Sequence, residues 1–245
     1  MMMNITKAVA HLIIANVLFF LLAHFIPMLQ DKAALYYIEN PNFQWWQVFS
    51  HLFMHASVAH IFFNMFALYS FGAPLERYFG SNRFILFYFA CGLGAGLLHL
   101  GVNYYEFHKV ADVLYAHDYT KEQLIAAFAE GRISYPSTLT GEDVQQMYEA
   151  YMTRAVGASG AVYGILVAFG MLFPDAELML MFLPIPIKAK YFIPILIALD
   201  LFSGVTGFSI FGSNIAHFAH VGGALIGFVL MKYWQKNLFN NRRLY

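Results

Sequence analysis

Charge is scarce in this 245-residue chain. Lys, Arg, Asp and Glu together make up 11% of it, against about 25% in soluble globular domains, which excludes an ordinary water-soluble domain. The 14 basic and 14 acidic residues cancel, so no basic excess is present to hold a nucleic acid. Cysteine is nearly absent. The single Cys91 excludes an intramolecular disulfide framework and any cysteine-rich metal site, and within an apolar run it reads as a small buried hydrophobe. Acids are also missing around the histidines. His51 and His55 have no Glu or Asp between or beside them, there is no His-Glu-x-x-His motif, and His11, His24, His99, His108 and His117 form no ligand cluster. No metal and no organic cofactor is expected.

What fills the chain is apolar: 60% hydrophobic residues, with 26 Phe and 16 Tyr. Runs long enough to cross a bilayer, roughly 17–25 residues each, lie near 6–28, 54–74, 83–104, 155–174, 189–205 and 214–235. The first exceeds a signal-peptide core of about 7–15 residues and no small-residue cleavage site follows, so it reads as a retained span. Pro184, Pro186 and Pro194 make the fifth the weakest of the six. The expectation is one all-α polytopic membrane domain over 1–245, a six-helix bundle with both termini on one side. An N-terminus in the cytoplasm puts Lys7, Arg77, Arg83, Lys188, Lys190, Lys232, Lys236, Arg242 and Arg243 inside, and Lys32, Lys109, Lys121, Arg132 and Arg154 outside. That excess of inner cations favours N-in, C-in.

Residues 105–153 break the pattern. They have no spanning run and carry Glu106, Asp112, Asp118, Glu122, Glu130, Glu142, Asp143 and Glu149. Thr120-x-x-Gln123 has the form of a capping box opening an amphipathic helix, and Thr140-Gly-Glu-Asp143 is a looser variant. Two or three short helices on the external face are expected here, as an extracytoplasmic insertion that helps to admit or select substrates.

Polar groups inside a bilayer are costly and face cavities or partners. Ser159 lies between Gly157 and Gly160 at the start of an apolar helix, and His220 opens another, 61 residues later. A serine with a histidine is the minimum set for acyl transfer: Ser159 as nucleophile, His220 as general base and then general acid. Under the N-in topology spans two, four and six all begin outside, which puts His60, Ser159 and His220 within roughly 6–9 Å of the outer boundary. Gly157 and Gly160 reduce local bulk, and Gly223 and Gly227 form a Gly-x-x-x-Gly pair suited to tight helix packing. Tyr163 shares the face of Ser159, one turn on, positioned to hold the imidazole. His60 and Asn64, four apart on span two, are candidate oxyanion donors with the Ser159 amide, each worth about 3–4 kcal/mol in a transition state. His217 reads as mostly structural, and Asp200 as too isolated to be a third triad member.

Together these residues resemble the rhomboid family of intramembrane serine proteases, from about Trp46 to Gly227. The elements that carry the resemblance are His60-x-x-x-Asn64, Gly157-x-Ser159-Gly160 with Tyr163, and Ala219-His220-x-x-Gly223-x-x-x-Gly227. The resemblance implies a rhomboid-like six-helix fold with a water-filled cavity open to the outside. It implies an acid-free Ser159–His220 dyad, with His60 and Asn64 supporting the oxyanion, and a serine endopeptidase that cuts transmembrane segments of other membrane proteins. A bacterial cytoplasmic membrane is the expected location. Many members carry Trp-Arg in the first external loop, whereas Gln47 follows Trp46 here, so residues 30–50 need other hydrogen bonds. Two other readings compete. A rhomboid-like protein that binds or escorts membrane helices without cutting them has no need of Ser159 and His220. A transporter would spread ionisable residues across the bilayer instead of gathering them at its outer third.

Overall fold

Proline ends the first helix. In the computed structural model, which describes residues 5–180, 183–208 and 216–242, α1 (Lys7–Phe25) stops at Ile26, with φ −125° and ψ 80°. Pro27 lacks an N–H and its ring disfavours helical backbone in the residue before it. It then serves as the first residue of α2 (Pro27–Ala33). A loop leads through α3 (Gln47–Ser50) and a 3-10 turn (His51–Phe53) to α4 (Val58–Ala67). Ser57 caps α4, its side chain accepting from the His60 amide. A π-turn at Leu68–Gly72 joins α4 to α5 (Ala73–Phe79), and Gly80 with φ 78° turns the chain into α6 (Ser81–Tyr115).

At 35 residues α6 is about 52 Å long, well beyond a hydrocarbon core of about 30 Å. Its far end carries the polar insertion, α7 (Lys121–Glu130) and α8 (Gly141–Met152). Each opens with a reciprocal capping box, Thr120 with Gln123 and Thr140 with Asp143. The insertion has its own core, built by Phe107, Leu114, Leu124, Phe128 and Tyr151 around Tyr37 of the first loop. The chain continues through α9 (Ser159–Leu172), a hairpin of β1 (Glu177–Leu180) and β2 (Leu183–Lys188), α10 (Ala189–Thr206) and α11 (His217–Arg242).

Two boundaries differ from expectation. The fourth apolar run was expected to be helical from 155, yet α9 begins at Ser159. Ala155 is instead held extended by Leu35, each amide donating to the other's carbonyl at 2.9 Å. The apolar pattern alone does not predict the antiparallel hairpin; the prolines of Leu-Pro-Ile-Pro-Ile-Lys disfavour a helix there. Residues 214 and 215 of the expected sixth span, and Arg243, lie outside the described residues.

α9 packs against α6 and α11 at the centre. A Cβ added to Gly223 would fall 1.8 Å from the Gly160 carbonyl oxygen, and one on Gly227 would fall 2.7 Å from Gly164 Cα. α9 and α11 therefore meet backbone to backbone, as small residues allow. Phe84, Phe87, Tyr88, Cys91, Ala161 and Ile165 fill the core beside this crossing. The outside is apolar as well: Leu18, Leu22, Phe62, Leu97, Ile195 and Leu225 are exposed. A surface of this kind belongs against lipid. Among the described residues, α1, α4 continued through α5, α6 and α10 are long and apolar enough to cross a membrane, and α9 is a shorter apolar helix.

Candidate active site

Three helix starts converge. Ser159 is the first residue of α9, His60 the third of α4 and His220 the fourth of α11. Ser159 Oγ lies 2.8 Å from His220 Nε2. The Tyr163 ring stacks on the His220 ring, with centroids 4.2 Å apart and planes 11° apart.

The loop that delivers Ser159 is pinned from the opposite side. The Gly157 amide donates to the His51 carbonyl at 2.9 Å. Gly157 has φ 121°, where an L side chain is strained, and a Cβ there would lie 2.7 Å from His60 Nε2 and 3.7 Å from Ser159 Oγ. His60 and Ser159 therefore border the same small space over Gly157. Because Ser159 opens its helix, its amide is among the first four that helix geometry leaves without an intrahelical acceptor. Asn64 is buried and directs one amide N–H to the His60 carbonyl at 3.0 Å, leaving a second N–H on the same nitrogen.

Asp200 lies against the far side of the Ser159–His220 pair. It is 1% exposed, and its Oδ1 lies 3.1 Å from His220 Nδ1 and 2.6 Å from His217 Nδ1. Its Oδ2 accepts from the Tyr163 hydroxyl. Asp200 is isolated in sequence but not in space, because α10 packs against both α9 and α11. A signal was available: a carboxylate in an apolar run needs partners, and Asp200 lies toward the C-terminal end of α10, 17 residues before His217 at the start of α11. His217, read as structural, touches the same carboxylate oxygen as His220.

His51 and His55 lie beside the site in the first loop, where burial pushes His51 down to about 4 and His55 down to about 3. His60 also bears on His55, their rings meeting edge to face at 5.0 Å. Next to them a cavity of about 620 Å³ is lined by Phe20, His24, Asp31, His55, Ser57 and Arg154. It adjoins the α4 cap and does not include Ser159. Among the described residues no group of three or more His, Cys, Asp or Glu is arranged to hold a metal ion.

Gln47 answers the missing arginine. Fully buried, its Oε1 accepts from the Gln44 amide (3.1 Å) and the Tyr36 amide (3.4 Å), while Nε2 donates to the carbonyls of Asn42 (2.9 Å) and Lys32 (3.3 Å).

A rhomboid domain profile matches residues 42–111 and 122–236, leaving out 112–121 within the insertion. The chain is similar to the presenilin-associated rhomboid-like protein, mitochondrial, of Homo sapiens, 27% identical over 239 residues that cover 96% of this chain and 50% of that protein. It is similar to the rhomboid protease AarA of Providencia stuartii, 26% identical over 186 residues, covering 75% of this chain and 53% of that one. A 50-residue stretch, 20% of this chain and 10% of its relative, is 42% identical to the rhomboid protease GluP of Bacillus subtilis (strain 168). The chain spans about half the length of the first two. Several relatives are mitochondrial by name, so a bacterial cytoplasmic membrane is not supported, whereas a multi-pass integral membrane protein is.

Proposed function

The chain belongs to the rhomboid family, and we propose that it is an intramembrane serine endopeptidase acting on transmembrane segments of other membrane proteins. The observation that carries this reading is the 2.8 Å contact between Ser159 Oγ and His220 Nε2 beneath a stacked Tyr163. In the proposed reaction Ser159 Oγ attacks the scissile carbonyl carbon while its proton passes to His220 Nε2. The oxyanion so formed takes hydrogen bonds from the Ser159 amide, His60 and the spare N–H of Asn64. His220 then protonates the leaving amine as the C–N bond breaks. Water hydrolyses the acyl-enzyme by the same proton path in reverse.

Six spans with N-in, C-in topology complete the reading. α4, α9 and α11 then all start at the outer side, which brings the site and the insertion to the external face. A substrate helix would reach Ser159 after local unwinding, since only extended backbone presents a carbonyl to it.

Fluorophosphonate labelling of the purified protein in detergent tests the proposal. Wild type is expected to label, and Ser159→Ala and His220→Ala are expected not to. Folded wild type that stays unlabelled, and leaves membrane helices uncut in liposomes, would instead favour a non-proteolytic helix-binding role.

A further inference from the structure

The nitrogen of His220 that faces away from Ser159 is not free. It meets Asp200, and this contact goes beyond a two-residue mechanism. We propose that Asp200 is a positioning residue for His220, holding it as the Nδ1–H tautomer and facing the imidazolium formed when Ser159 gives up its proton. The inference rests on the protease reading above.

Three observations carry it. First, Asp200 is almost completely buried, so its oxygens need donors from the protein. The groups around them are Tyr163 of α9 and His217 and His220 of α11. Second, the contact with His220 is through Nδ1 at 3.1 Å. A ring unprotonated at Nδ1 would point a lone pair at a carboxylate oxygen, so the favoured neutral ring carries its proton on Nδ1. That leaves the Nε2 lone pair facing Ser159 Oγ at 2.8 Å, the form a general base requires. Third, the Tyr163 hydroxyl bonded to Oδ2 belongs to the ring that stacks on His220. One carboxylate thus fixes the imidazole both in its plane and from its face.

The proton balance is simple. The Ser159 proton moves to Nε2 and later to the leaving amine, while the Nδ1 proton stays between His220 and Asp200. The carboxylate is never protonated in the cycle, and it acts by orientation and by charge.

His217 defines the competing role. Its bond to the same oxygen is the shorter one, 2.6 Å, so Asp200 as a mere clamp between α10 and α11 predicts lost stability without lost chemistry. The two roles separate in saturation kinetics of fluorophosphonate labelling on the full chain, read as kinact and KI, alongside thermal unfolding. Asp200→Asn keeps the shape and is expected to lower kinact by about 10²- to 10⁴-fold with KI little changed. His217→Gln is expected to lower kinact by far less.

Equal kinact in wild type and Asp200→Asn, with only the melting temperature reduced, overturns the proposal. So does a His217→Gln loss matching that of Asp200→Asn, since Asp200 would then act through His217. Wild type that never labels sinks the protease reading and this inference with it, which distinguishes the two failures. A measurement on unmutated protein covers the case of a variant that does not fold. Histidine ¹⁵N spectra, with His220 assigned by His220→Gln, should show Nδ1 as the protonated nitrogen, and an Nε2–H ring overturns the proposal.

Discussion

Gln47 spends the full capacity of one amide, two acceptor sites and two N–H groups, on four backbone groups of residues 32–44. Those bonds shape the loop that presents Leu35 to Ala155 and the His51 carbonyl to Gly157, and so reach the approach to Ser159. Gln47→Leu strands several of these groups in a buried site, at about 1–3 kcal/mol each. A lower melting temperature and slower labelling of Ser159 are expected together. A variant that labels at the wild-type rate would show that the loop does not position the serine. The Trp-Gln pair is plain in the sequence, but its consequence is not. All four partners are backbone groups that any residue would supply, so only their folded positions identify them.

The α9–α11 crossing is set by glycine. Gly223→Ala brings a Cβ to 1.8 Å from a backbone carbonyl that has no means of yielding, so the helices must part and the Ser159–His220 contact opens. Loss of labelling and a large fall in melting temperature are expected. Gly101→Ala is the contrasting change: the position is an exposed one in α6, with nothing within 4 Å of an added Cβ. It should stabilise the protein by about 0.5–1 kcal/mol, the helix propensity difference. Thermal unfolding of the two variants checks both signs. The Gly-x-x-x-Gly spacing marks a packing face in the sequence. Which of the 18 glycines touch a neighbour depends on how the helices cross.

Acid should weaken the fold as a unit. His51 and His55 are buried as neutral rings, with folded values of about 4 and about 3 against about 6.5 in an unfolded chain. Their contribution is complete above pH 6.5 and is lost as pH falls toward 4, because the unfolded chain takes up the protons. Glu39 acts in the same direction at lower pH. Burial works against its charge, but hydrogen bonds from Lys121 and His108 hold it below the usual carboxylate value. The tie between the first loop and the insertion is therefore lost as pH falls through that lowered value. Between pH 7 and 5 the two histidines should remove on the order of 4 kcal/mol of stability, about 2 from each. Melting curves in detergent test this, and His55→Phe should flatten the pH dependence. A wild-type melting temperature independent of pH over that range would mean that the rings are not held neutral.

Local pattern carried a large part of this protein. Low charge and long apolar runs determined a polytopic helical membrane protein, and the Thr120 and Thr140 spacings determined two helix starts in the insertion. The motifs around His60, Ser159 and His220, taken together in their order along the chain, were enough to mark a family resemblance. Each of these rests on neighbours within a few turns of helix or on composition, which the chain states directly. The tertiary structure alone decided the setting of Asp200, which meets Tyr163 37 residues away and His217 and His220 17 and 20 residues away. It also decided the uses of Gln47 and the extended backbone at Ala155. Hydrogen bonds of this kind form only once helices have docked, because no local periodicity records which buried donor will find which buried acceptor.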